Sequence, residues 1–112
     1  MKIKIYKRDF LGESHTIYMN DEKHPHLMVD ADKVCKYDLA LFKFRVRNAV
    51  SDWPTELKDE RVIDGLEYEI VLERPGEPEK KYLFKNKFPD DIWRIESIIE
   101  DVLGVENGQS VQ

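Results

Sequence analysis

The sequence contains one cysteine, Cys35, and no apolar run long enough to cross a bilayer. A lone thiol excludes an internal disulfide and fits a reducing compartment. A spanning helix would need roughly 20 consecutive apolar residues. The opening Met1-Lys2-Ile3-Lys4-Ile5 alternates charge with apolar side chains and lacks the apolar centre of a secretory signal. It therefore reads as a strand, and cytoplasmic residence is the expectation. The glycines, Gly12, Gly65, Gly76, Gly104 and Gly108, stand singly where turns or caps want them. No phosphate-cradling loop, HExxH or CxxC pair is present, so no motif points to a cofactor. Positive charge is also in deficit, with 18 Lys and Arg against 23 Asp and Glu and a net charge of −5. That balance argues against general nucleic-acid affinity, which depends on neutralising phosphates.

What is present suits a single small domain. With 112 residues, 41% of them apolar, the chain can build one core but not two. Residues 1–104 are expected to form that domain, and 105–112 a flexible C-terminal tail. Lys2 to Lys7 alternates as a strand with Ile3 and Ile5 inward, and His15 to Met19 reads as its antiparallel partner. Residues 24–29 suit a short edge strand or a loop, because proline is tolerated only at strand starts and edges. Cys35, Leu39, Phe42, Val46, Ala49, Val50 and Trp53 recur at helical spacing. They predict a helix over 35–52, capped by Asp30 or Asp32 and ended by Pro54. Phe44 falls off its main face. Thr55 to Arg61 reads as a polar connection.

The stretch from Asp64 to Gly104 is the most sharply patterned. Asp64-Gly65 opens a strand running to Glu73, Pro75-Gly76 makes a turn, and Lys80 to Lys85 forms the return strand. A register in which residue numbers sum to 154 sets Glu73 against Lys81, Glu69 against Lys85 and Glu67 against Lys87. It also sets Leu72 against Tyr82 and Ile70 against Phe84, which satisfies both faces of a period-two strand. Ile92, Ile95, Ile99, Val102 and Leu103 then form the apolar stripe of a last helix. Pro89 suits its first position, Asp90 and Asp91 its positive end, and Gly104 its stop. The fold class is α+β: an antiparallel sheet of about four strands with two helices packed on one face.

Few side chains suggest chemistry. His24, His26, Asp30, Asp32 and Cys35 are suitable metal ligands by type, His24 and His26 being the best candidates, but their spacing matches no compact structural site. Cys35 reads more simply as a small buried hydrophobe. Acid is concentrated between residues 56 and 79, including Asp59, Glu60, Glu67, Glu69 and Glu73, and again along the last helix. Such a surface attracts a basic partner. Trp93, at the edge of the last helix's stripe, is the better of the two tryptophans for a partly exposed contact residue.

The order Trp53, then Asp64-Gly65, then Asn86-Lys87-Phe88-Pro89 resembles a pattern in small bacterial proteins of the immunity or uncharacterised type. The likeness covers roughly the second half of the chain. It implies a non-enzymatic protein whose surface occludes a partner. The expected function is therefore a protein-binding module, immunity-like, that uses Glu67, Glu69, Glu73, Asp59, Glu60 and Trp93 against a basic protein. No nucleic acid or membrane partner is expected. A small metal-dependent or hydrolytic enzyme using His24, His26, Asp30 and Cys35 is the alternative, and an acidic nucleic-acid mimic the second alternative.

Overall fold

A computed structural model describes residues 1–61, 65–106 and 108. Strand β1 (Lys2–Arg8) turns through Asp9, whose carboxylate accepts from Leu11 N and Glu13 N, into β2 (Ser14–Asn20). Two three-residue strands follow, β3 (Leu27–Val29) and β4 (Lys33–Cys35), and then helix α1 (Leu39–Val50). Strand β5 (Glu56–Lys58) precedes the hairpin of β6 (Glu67–Glu73) and β7 (Lys80–Lys85), and α2 (Trp93–Glu106) closes the fold. The sheet order is β4-β3-β2-β1-β6-β7-β5, antiparallel except where β5 runs parallel to β7. The α+β class holds, but the sheet has seven strands and is mixed, where about four antiparallel ones were expected. The additional strands are three-residue pieces, too short for an alternation to register in sequence. Within the expected polar connection, backbone bonds from Leu83 N to Thr55 O and from Asp59 N to Lys85 O, both 2.9 Å, recruit β5.

Period two sorts the sheet into two faces. Ile3, Ile5, Ile17, Met19, Tyr68, Ile70, Leu72, Tyr82 and Phe84 all point to one side and are buried, as their alternation predicts. Both helices cover that side: Phe42, Val46, Ala49 and Val50 from α1 and Ile95, Ile98, Ile99 and Val102 from α2 belong to the same core. Lys7 ends the inward row of β1. There its ammonium lies 2.7 Å from Glu96 of α2 and 5.7 Å from the centre of the Tyr68 ring. Trp53, just past α1, donates from Nε1 to Asp91 Oδ1 at 2.6 Å and meets Phe84 edge to face. Arg45 on α1 reaches Asp101 late on α2, also at 2.6 Å. This reversed order of contacts makes the helices antiparallel.

Helix α1 is shorter than predicted. Asp38, and neither Asp30 nor Asp32, caps it by accepting from Leu41 N at 2.9 Å. Cys35 is buried as expected, but on β4 opposite Leu27; its helical spacing from Leu39 and Phe42 is coincidental. Helix α2 begins at Trp93, after Pro89, and passes through Gly104 to Glu106. The strand-opening Asp64, and residues 107 and 109–112 of the expected tail, lie outside the described residues.

The β6–β7 register also differs. Glu67 faces Lys85, Tyr68 faces Phe84 and Ile70 faces Tyr82, a sum of 152 where 154 was predicted. A slip of two keeps every side chain on its face, so hydrophobic patterning cannot tell the registers apart. Glu–Lys pairs worth about 0.2–1 kcal/mol each do not decide it either, because β6 has a second neighbour. Strand β1 pairs along its whole length and offers Arg8, Lys4 and Lys2 to Glu67, Glu69 and Glu73. The turn itself fits Pro75-Gly76: Glu77 N donates to Arg74 O at 3.1 Å and Gly76 has φ +74°.

Gly65 packs against the side chain of Asn86, which sits at φ +60° after β7. A Cβ at Gly65 would overlap Asn86 Oδ1 and push that amide away from Asp59 O. Gly65→Ala is predicted to lower stability by about 1–3 kcal/mol, the usual range for overpacking, as read from the midpoint of urea unfolding.

Candidate functional site

The surface that stands out is the groove between the helices. The buried stripe of α1 leaves Leu41, Phe44 and Asn48 on the outer side, spaced to share one helical face. Trp93, the first residue of α2, faces the same groove. Phe44 is 62% exposed and Trp93 60% exposed, and Arg45, Asn48, Ala49, Ser97 and Ile98 complete a hollow of about 220 Å³. The Arg94 guanidinium lies 5.5 Å from the Trp93 ring centre and 3.3 Å from Asp91. Arg45 is bound by Asp101 and by Tyr37 OH at 2.8 Å. The groove thus has a firm floor and pinned rims under two exposed aromatics. Phe44 was legible as a residue off the stripe of α1, but its meeting with Trp93 depends on the antiparallel helix packing.

The expected acidic surface is distributed differently from the sequence reading. Glu67, Glu69 and Glu73 project from the open face of the sheet, opposite the helices. Arg8, Lys4 and Lys2 lie 3.9, 3.5 and 3.8 Å from them, respectively. Exposed pairs at such distances contribute about 0–1 kcal/mol, yet they cancel much of the local field. Asp59 binds Arg61 through both carboxylate oxygens at 2.9 Å, and Glu60 beside it is exposed. Among the described acids of residues 56–79 and 90–106, Glu60, Glu79, Asp90 and Glu100 have no cation within ion-pair distance. Glu100 lies two turns beyond Trp93, on the same face of α2.

The candidate ligands of the alternative reading do not converge. His24 and Asp30 line a hollow of about 510 Å³ on the open sheet face, together with Lys4, Tyr18 and Met28. Asp30 is held there by Thr16 N at 3.1 Å, and its other oxygen lies 3.4 Å from His15 Nδ1. His26 is exposed outside the hollow. Cys35 faces the core, and its thiol donates to Val102 O at 3.5 Å. Among the described residues, no three His, Cys, Asp or Glu side chains are grouped to hold a metal ion. No helix among them is long and apolar enough to cross a membrane.

Asp59 has the clearest electrostatic signature of the candidate residues. Hydrogen bonds from the Arg61 side chain and backbone hold its carboxyl at about 2, below the ordinary 3.8. A depressed carboxyl pKa adds stability above the unfolded value, near 3.8, and that stability is lost as pH falls through about 2. NMR titration of the Asp59 side-chain carbon is predicted to give a midpoint near 2, and Arg61→Ala to return it toward 3.8. In comparisons with protein-family models, curated proteins and solved structures, nothing matches this chain, so the functional reading rests on its own geometry.

Proposed function

We propose that this chain is a non-enzymatic protein-binding module, an immunity-like inhibitor, whose contact surface is the groove between α1 and α2. The observation that carries this reading is the pair of exposed aromatics, Phe44 and Trp93, on adjacent helices over one hollow. Aromatic side chains that can be fully desolvated in a partner's pocket dominate binding energies, and Trp ranks first among them. A basic protein is the favoured partner, because Asp90 and Glu100 flank Trp93 and, among the described residues, have no cation of their own. The chain's net charge of −5 would also speed its encounter with such a partner. Glu67, Glu69 and Glu73 form a weaker second face, muted by the cations of β1.

Immobilised full-length protein is expected to retain a basic host protein at low salt and release it as salt is raised. Trp93→Ala and Phe44→Ala should each weaken retention by tenfold or more, on the order of 2 kcal/mol for a hot-spot residue, while the circular dichroism stays unchanged. Identical retention by the wild type and both variants would sink the reading.

His24 and Asp30 lining one hollow support the second reading, a metal-dependent or hydrolytic enzyme. Zinc added during NMR should then shift the His24 ring signals at stoichiometric concentration. An unchanged His24 spectrum would remove that reading.

A further inference from the structure

A different hollow gathers positive charge in this acidic chain. It lies between the C-terminal end of α1 and the β6–β7 hairpin and measures about 500 Å³. That falls within the range of roughly 300–1,000 Å³ typical of small-molecule sites. Arg47 comes from α1, Arg74 from the hairpin turn and Lys80 from the start of β7. Arg74 and Lys80 belong to one hairpin, and the fold brings the distant Arg47 to them. The buried Val50, Leu72 and Tyr82 supply an apolar floor. Glu77 is the one acid among the described lining residues, and it sits 3.9 Å from Arg74 Nε. Arg47 and Lys80 have no acid within ion-pair distance among the described residues, and the Lys80 ammonium lies 5.3 Å from the Tyr82 ring centre.

We propose that this hollow binds a small phosphate monoester carrying a flat apolar group. Three cations against one carboxylate leave a surplus of two positive charges, which matches a dianion at neutral pH. Donors on α1, the hairpin turn and the start of β7 suit a tetrahedral group with three acceptor oxygens better than a planar carboxylate, and guanidinium groups grip such oxygens in pairs. The floor accommodates the apolar group. One effect opposes binding: the last carbonyls of α1 carry the negative end of its dipole. Val50 O is already occupied by Trp53 N at 3.1 Å, and Arg47 stands over that end. A nucleic-acid polyanion does not fit, because the basic hollow is bounded and the remainder of the chain repels it.

The test is a ¹H–¹⁵N NMR titration of the full chain with phenyl phosphate, alongside inorganic phosphate and phenol. Phenyl phosphate is expected to shift the amides of residues 47–51, Arg74, Gly76, Glu77 and 79–82 and to saturate. Inorganic phosphate should shift the same amides more weakly, and phenol alone should leave them unmoved. Arg47→Gln and Lys80→Gln, both at exposed side chains, should each weaken binding about tenfold, as expected for loss of a charged hydrogen bond. Glu77→Gln should tighten it. Shifts spread equally over Lys23, Lys58, Lys85 and other surface lysines would overturn the proposal, as would unchanged affinity in all three variants or no saturable shift at all.

Discussion

The antiparallel pairing of β1 with β6 is the constraint on which the rest of the molecule depends. It joins residues 2–8 to residues 67–73, setting Ile3 against Leu72, Ile5 against Ile70 and Lys7 against Tyr68. The two strands become the centre of the sheet, with β2 to β4 on one side and β7 and β5 on the other. Closing so long a loop costs chain entropy before it is offset by contacts. The offset is the shared apolar face, to which both helices then pack. The same pairing settles the electrostatics of the open face. A glutamate on an outer hairpin would look to its hairpin partner, whereas on a central strand it has neighbours on both sides, and here β1 supplies the cations.

The parts of the fold legible in the sequence are those where one periodicity runs long enough to exclude the other. The alternation of β1, β2, β6 and β7 and the stripe Ile95-Ile99-Val102 identified strands, faces and core. Where a segment is three residues long, as in β3, β4 and β5, no period exists to read. Cys35 illustrates the converse error. Its spacing from Phe42 and Val46 suits a helix, but Asp38 offers a cap, and the helix starts there. The hairpin register was illegible for a third reason: it hinges on β1, a strand some 60 residues away, while local charges suit either choice.

The candidate surfaces follow the same division. Trp93 could be suspected because it sits at the margin of a stripe, and the margin proved exposed. Its partnership with Phe44 could not be inferred before the helices were known to run antiparallel. The basic hollow was illegible in the sequence, since Arg47 lies on a different element from Arg74 and Lys80, which stand among acids. The acid-rich segment had the opposite fate. It looked distinctive as a string of letters, yet in three dimensions β1 answers Glu67, Glu69 and Glu73, and Glu56, Asp59 and Glu77 pair with cations of their own segment.

The sheet tapers to three-residue strands at both margins, β4 and β5. The free backbone groups of such a margin are too few to template an incoming strand. Charged Lys33, Glu56 and Lys58 sit at these margins as well. The molecule is thereby guarded against lengthening its sheet into a filament, even though its central strands are rich in β-branched and aromatic residues.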